Sequence, residues 1–282
     1  MEKITAEYVK AHLPGRDPGG HKGTFGKVTV LGGAVGYTGA PVYAGEAASR
    51  CGSGLVYAAV LQSVYPIVAA RCETAMACPV PEDYPAVLEK LLPMDSCAIG
   101  PGLGRDTETD ERTRKLLVDL PMPVVLDADG INAVAGHIDS LRERKAPTII
   151  TPHEGEFLRL GGDVSLGRKE AACRFARDNG CILVLKGPGT VVASPEGRLM
   201  VNTTGNCGMA KGGSGDVLTG MVVSLLGQGA EPFEAAAMAV WLHGRAGDLC
   251  AEEMTAYAMT PTDMLRKLPV VFRELLSLDK TH

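Results

Sequence analysis

The chain has 282 residues, 45% of them hydrophobic and 22% charged, a balance that supports a sizeable folded core and excludes a disordered chain. A formal net charge of -5 with no Lys/Arg cluster removes the electrostatic footprint that a nucleic-acid partner needs. No stretch approaches the roughly 20 apolar residues of a membrane span, and Met1 to Glu7 lacks an apolar signal core, so no membrane association and a cytoplasmic location are expected.

Taken in chain order, short apolar runs rich in β-branched residues predict strands at Val28 to Leu31, Leu55 to Val60, Cys97 to Ile99, Val124 to Leu126, Thr148 to Ile150 and Ile182 to Leu185. Between them, helices are expected at Ala40 to Arg50, Glu82 to Leu92, Thr107 to Leu120 and Gly167 to Asn179. This alternation implies an α/β fold whose central, mostly parallel sheet is covered by helices on both faces. Ala44, Ala47 and Ala48 fall on neighbouring turns of the first helix, a small-residue face able to sit close to the sheet. After Lys186, Thr190 to Ala193 and Arg198 to Val201 flank Ser194-Pro195-Glu196-Gly197 and predict a β-hairpin on one edge. Asp216 to Leu226 and Phe233 to Glu253 then carry apolar residues at helical spacing, and a last helix starts near Thr262. No repeat, low-complexity tract or linker divides the sequence, so residues 1–282 are expected to form one domain.

Several of the 35 glycines are bunched, which lets backbone approach a ligand closely. The strongest group is Gly205-Asn206-Cys207-Gly208-Met209-Ala210-Lys211-Gly212-Gly213-Ser214-Gly215-Asp216, followed at once by an amphipathic helix. A lone Gly-Ser-Gly-Asp would be a turn with an N-cap. The further glycines upstream favour an anion site, because unpaired N–H groups and the positive dipole end of a helix attract phosphate. A carboxylate in such a site needs a reason, and a general base beside a phosphoryl group supplies one for Asp216. Lys186-Gly187-Pro188-Gly189-Thr190 follows a predicted strand and is either a nucleotide contact or a structural turn. Gly100-Pro101-Gly102-Leu103-Gly104 has the same placement. The run from Gly32 to Ala40 lacks the spacing and downstream acid of a dinucleotide fingerprint, so no Rossmann oxidoreductase is expected.

Asp127, Asp129 and the segment Thr151-Pro152-His153-Glu154-Gly155-Glu156 also end predicted strands, which brings polar groups to one edge of the sheet. For the aspartates, helix capping is the alternative. For His153 it is a first-turn surface position, and metal ligation is its least favoured role. His21, His137, His243 and His282 have no partners at ligand spacing and read as incidental. The eight cysteines form no C-x-x-C pair and no zinc pattern, so most are expected to be buried, reduced thiols.

The ordered set His21 to Lys27, Gly32-Gly33, Gly36 to Ala40, Gly100 to Gly104, Thr151 to Phe157, Leu185-Lys186-Gly187 and Gly205 to Gly220 resembles the ADP-dependent (S)-NAD(P)H-hydrate dehydratases. The resemblance implies a ribokinase-like fold and a carbon-oxygen lyase that uses ADP to dehydrate the S-epimer of hydrated NADH or NADPH, releasing AMP and phosphate. It implies that Asp216 is catalytic, that Ala40, Gly102, His153 and Asp216 touch the hydrate, and that Lys186, Gly187, Pro188, Gly189, Thr190 and Gly215 hold the nucleotide. Magnesium is expected with no assignable ligand, ATP is a possible second donor, and a homo-oligomer, guessed as a tetramer, follows by analogy. The epimerase domain fused to many relatives is absent from this reading, so a separate protein would supply epimerisation. Two departures are Cys207, where many relatives have proline or alanine, and Gly161-Gly162 in a variable region; neither touches the chemistry. A small-molecule kinase of the same fold, such as a hydroxyethylthiazole kinase, would share the Gly-Gly-Ser-Gly-Asp loop, but not the segments at His21 to Gly26, Gly36 to Ala40 and His153 to Glu156. A nucleotide sensor without turnover is a further alternative, against which Asp216 argues.

Overall fold

A computed structural model describes residues 2–81, 83–165 and 167–277. Its strands are β1 (Glu2–Ile4), β2 (Lys27–Leu31), β3 (Leu55–Leu61), β4 (Met76–Val80), β5 (Ser96–Ile99), β6 (Val124–Leu126), β7 (Thr148–Ile150), β8 (Ile182–Leu185), β9 (Val191–Ala193) and β10 (Leu199–Asn202). They form one sheet in the order β1-β10-β9-β8-β7-β6-β5-β2-β3-β4. Strand β9 runs antiparallel to both of its neighbours, β8 and β10, and the other pairs are parallel. The predicted hairpin is therefore present and makes the sheet mixed.

Strand periodicity divides the core into two layers. Val28, Val30, Val125, Ile149 and Val184 point into one, against α1 (Ala6–His12), α2 (Gly39–Arg50), α10 (Ser214–Gly227), α11 (Pro232–Ala258) and α12 (Pro261–Leu276). Leu31, Ile99, Leu126, Ile150 and Leu183 point into the other, against α4 (Tyr84–Leu91), α5 (Thr107–Asp119), α6 (Asp129–Val134), α7 (Asp139–Arg142), α8 (Glu154–Arg159) and α9 (Arg168–Asn179). The short α3 (Tyr65–Ala69) closes a smaller cluster around Val60 and Val68.

The structure departs from the expected elements in ways with physical causes. Strand β4 is apolar throughout but contains Pro79 and lies at the sheet edge, and a proline inside a short apolar run argues against reading it as a strand. Glu82, expected to open a helix, lies outside the described residues, and α4 starts at Tyr84 behind the N-cap Asp83. Helix α10 begins at Ser214, which puts Asp216 inside its first turn and not ahead of it. Helix α11 runs to Ala258 through a break at Thr255, whose φ is 72°.

The chain leaves β2 toward β3 and β4, then returns through β5 on the other side of β2. Connections diverge at that point, and the carboxyl ends of strands flanking such a switch are the usual ligand position in an open α/β sheet. The two loops meet there, with Gly33 N donating to Pro101 O at 2.9 Å.

The alanine face of α2 packs against α10 as well as the sheet. Ser224 Oγ donates to Ala48 O at 2.9 Å, and a Cβ added at Gly220 would stand 2.0 Å from Ala44 O. That oxygen belongs to helical backbone and cannot swing aside. Gly220→Ala is therefore expected to lower the unfolding free energy by about 1–3 kcal/mol, the usual range for overpacking, in urea denaturation. Wild-type stability would contradict so close a helix contact.

Candidate active site

Three neighbouring parallel strands, β6, β7 and β8, end together on one edge of the sheet, and each delivers part of a polar cluster. Strand β6 leads into Asp127, β7 into Thr151 to His153, and β8 into Lys186. Asp127 is 2% exposed and accepts three hydrogen bonds. Its Oδ1 takes Lys186 Nζ at 2.9 Å and Thr151 Oγ1 at 2.8 Å, and its Oδ2 takes Thr219 Oγ1 of α10 at 2.8 Å. Burial opposes ionisation of Asp127, but Lys186, Thr219 and Thr151 outweigh it and hold the carboxyl below its ordinary range. Burial likewise opposes the charge on Lys186, yet Asp127 and Glu156 raise its pKa, so the pair is ionic. Glu156 Oε2 lies 3.8 Å from the same ammonium.

The backbone turns sharply after Asp127. Ala128 has a φ of 49°, a sparsely populated conformation that costs roughly 1–3 kcal/mol and sends the two flanking carboxylates to different neighbours. Asp129 Oδ2 accepts from Gly104 N at 3.0 Å, which ties the Gly100 to Gly104 loop to the same edge. Neither aspartate caps a helix through its side chain in the way the alternative reading required.

Above this pair sits the start of α10. A Cβ at Gly215 would be 3.4 Å from Lys186 Nζ and 3.7 Å from Asp127 Oδ2. The N-cap, Gly213, contributes no side-chain hydrogen bond, and the N–H groups of Gly215 and Asp216 donate to no acceptor among the described residues. Asp216 itself makes no side-chain hydrogen bond among them. Burial first, then the charges of Asp127 and Asp129, push its pKa up to about 7 against the opposing pull of Lys186. A carboxyl poised near neutrality beside free N–H donors can accept a proton while those donors stabilise a transferring anion.

The other expected residues fall around this centre. Ala40, the second residue of α2, lies beside Gly102, where an added Cβ would stand 3.1 Å from Ala40 Cβ and 2.8 Å from Tyr37 O. His153 is the N-cap of α8, its Nδ1 accepting from Gly155 N at 3.0 Å and Glu156 N at 3.3 Å, which places its proton on Nε2. Lys186 N donates to Pro152 O at 2.8 Å, so the His153 and Lys186 segments run side by side. The Lys186 to Thr190 loop is a turn closed by Thr190 Oγ1, which donates to Gly187 O at 2.9 Å.

Sequence reasoning missed the ion pair, because its partners are remote in the chain, and read His243 as incidental. His243 is buried on α11 with Nε2 2.9 Å from Ser214 O, at the first residue of α10. Burial pushes its pKa down to about 4, so the neutral ring donates that bond. His282 lies outside the described residues. Thr219 had a legible signal: it follows Asp216 by three residues on one helix face. All eight cysteines are free; Cys51, Cys97, Cys181 and Cys250 are buried, while Cys207 in the glycine loop is exposed.

Among the described residues no group of three or more His, Cys, Asp or Glu is placed to hold a metal ion. Magnesium keeps several waters and binds phosphates with few protein carboxylates. Asp127, Asp129 and Glu156 are already engaged by protein donors, a set that fits an ion carried on a nucleotide better than a resident metal centre.

A family model described as NAD(P)H-hydrate dehydratase matches residues 28–270. The chain is 42% identical over 286 residues to the bifunctional NAD(P)H-hydrate repair enzyme Nnr of Moorella thermoacetica, covering 96% of this chain and 54% of that protein. It thus spans about half the length of that relative. The crystal structure of the ADP/ATP-dependent NAD(P)H-hydrate dehydratase of Bacillus subtilis, co-crystallised with ATP/Mg2+, matches with a TM-score of 0.85 and 33% identity, covering 97% of this chain and 98% of that one. A ribokinase-like superfamily protein of Enterococcus faecalis matches with a TM-score of 0.85 and 28% identity, covering 98% and 96%. The mostly parallel sheet with helices on both faces is therefore the ribokinase-like fold expected above. No helix among the described residues is long and apolar enough to cross a membrane.

The raised pKa of Asp216 has a consequence for stability. The folded chain holds a proton that the unfolded chain releases near pH 4, so the unfolding free energy falls as pH rises from about 4 to about 7. Asp216→Asn removes that loss. Its melting temperature is expected to match wild type near pH 4 and to exceed it by several degrees at about pH 8. A difference independent of pH would contradict the buried-acid assignment.

Proposed function

The chain belongs to the NAD(P)H-hydrate dehydratase family, and on that premise we propose that it repairs damaged nicotinamide nucleotides by removing water from the S-epimer of hydrated NADH or NADPH. The donor is ADP, with ATP able to serve, and the products are the reduced nucleotide, AMP and phosphate when ADP is used. The observation that carries this reading is the unpartnered Asp216 carboxyl, with a pKa of about 7, set among the free N–H groups that open α10.

Hydroxide is a poor leaving group, so elimination of water is slow without activation. Asp216 takes the proton of the ring hydroxyl as its oxygen attacks the terminal phosphorus of the nucleotide. Gly212 to Gly215 hold the transferring phosphoryl oxygens, and the free N–H groups of Gly215 and Asp216 stabilise the charge that develops there. The ring nitrogen then expels phosphate, and loss of a proton from the adjacent carbon restores the double bond. Ala40, Gly102 and His153 contact the hydrate, while Lys186, Gly187, Pro188, Gly189, Thr190 and Gly215 hold the nucleotide. Magnesium supplies charge neutralisation on the phosphates when bound. The dehydratase unit acts in the cytoplasm as a homo-oligomer.

Two measurements test the proposal. Hydrated NADH incubated with the protein and ADP should regain the absorbance of the reduced nicotinamide without accumulation of a phosphorylated hydrate. A stable phosphorylated product would make the protein a kinase instead. Asp216→Ala should lower turnover by roughly 100- to 10,000-fold, the range of general-base loss, while ADP still binds in calorimetry; wild-type turnover in that variant would remove the mechanism.

A further inference from the structure

The loop from Lys186 to Thr190 has an uneven set of hydrogen-bonding groups. Four of its five carbonyls, all but that of Gly189, are engaged. Arg168, at the start of α9, donates from Nη2 to Leu185 O at 3.0 Å and Lys186 O at 2.9 Å, and from Nη1 to Pro188 O at 3.1 Å. Thr190 Oγ1 takes Gly187 O, and Asn202 N donates to Thr190 O at 2.9 Å. Two of its donors are not: Lys186 N and Gly187 N are bonded to Pro152 O and Thr190 Oγ1 and Pro188 has no N–H, but the adjacent N–H groups of Gly189 and Thr190 donate to no acceptor among the described residues. A loop with most of its acceptors satisfied and two adjacent N–H groups free is a surface for anionic or acceptor-rich ligands.

One guanidinium sets this imbalance. Its planar fork reaches three carbonyls, one at the end of β8 and two in the turn that follows, which a point-charge ammonium cannot do. Arg168 Nε is buried with no hydrogen-bond partner, so the side chain forgoes a bond to keep the fork in place. The loop also lies directly on it. Gly187 has a φ of 146°, and a Cβ there would be 2.7 Å from Arg168 Nη1, so the absence of a side chain lets backbone and guanidinium lie in close contact.

We propose that Arg168 is the positioning residue of the nucleotide site: by taking the loop carbonyls it leaves the Gly189 and Thr190 N–H groups to the nucleotide, and it governs ADP affinity separately from recognition of the hydrate. This rests on the nucleotide reading of the loop given above. It adds a residue outside every glycine-rich segment of the sequence.

The test is ADP titration calorimetry on wild type, Arg168→Lys and Arg168→Gln, with steady-state kinetics against both substrates. Both variants should bind ADP at least about ten-fold more weakly, with kcat at saturating ADP and KM for the hydrate within about two-fold of wild type. A structural defect alone would move both KM values and kcat together, and that outcome overturns the proposal. So does ADP affinity within about two-fold of wild type in Arg168→Lys, which keeps charge and length and decides the matter if Arg168→Gln does not fold. Failure of the wild-type protein to bind ADP would instead sink the nucleotide reading itself, and this inference with it.

Discussion

The buried carboxylate of Asp127 joins four elements that are distant in sequence. Thr151 after β7, Lys186 after β8 and Thr219 on α10 all donate to it, and it stands at the end of β6. Removing any donor would leave a buried charge short of a partner, a cost that usually exceeds the value of the bond itself. The four elements are therefore held in register with one another. Because Thr219 follows Asp216 by one turn, fixing Thr219 also fixes where Asp216 stands relative to the strand ends.

The same arrangement sets the chemistry. Lys186 neutralises Asp127 but does not form a hydrogen bond to Asp216, so the second carboxyl is left in a half-buried site with two acidic neighbours and no partner. Such a group weakens the fold at neutral pH, and a catalytic role accounts for its presence there. The free N–H groups of the first turn of α10 have the opposite character, being donors without acceptors. Base and anion-binding donors thus occupy adjacent residues of one helix turn. His243, neutral and bonded to Ser214 O, secures that turn from the α11 side.

Much of the fold was legible in the sequence because the central strands are buried on both faces and so read as short continuous apolar runs. β2, β3 and β5 to β8 were visible in this way, as was the hairpin of β9 and β10 from its turn. β1 has only three residues and β4 is an edge strand with a proline, so neither read as a strand. α6, α7 and α8 are too short for helical periodicity to show. At the site, the glycine-rich approach to α10 identified Asp216 through local chemistry. The Asp127 to Lys186 pair and the Arg168 fork were not legible, since each joins segments whose proximity follows from strand order and not from spacing.

Burial, then the charge of Asp127 with Lys186 tied to it, leaves Asp216 as a carboxyl that titrates near neutrality. Carbon-13 NMR titration of the aspartate carboxyls, with Asp216 assigned by its loss in Asp216→Asn, measures this directly in the free protein. The account predicts a midpoint near 7 in wild type and a clearly lower one in Asp127→Asn, where a repelling charge is gone and Lys186 is released toward Asp216. A wild-type midpoint in the ordinary aspartate range near 4, or one that Asp127→Asn leaves unmoved, would contradict it.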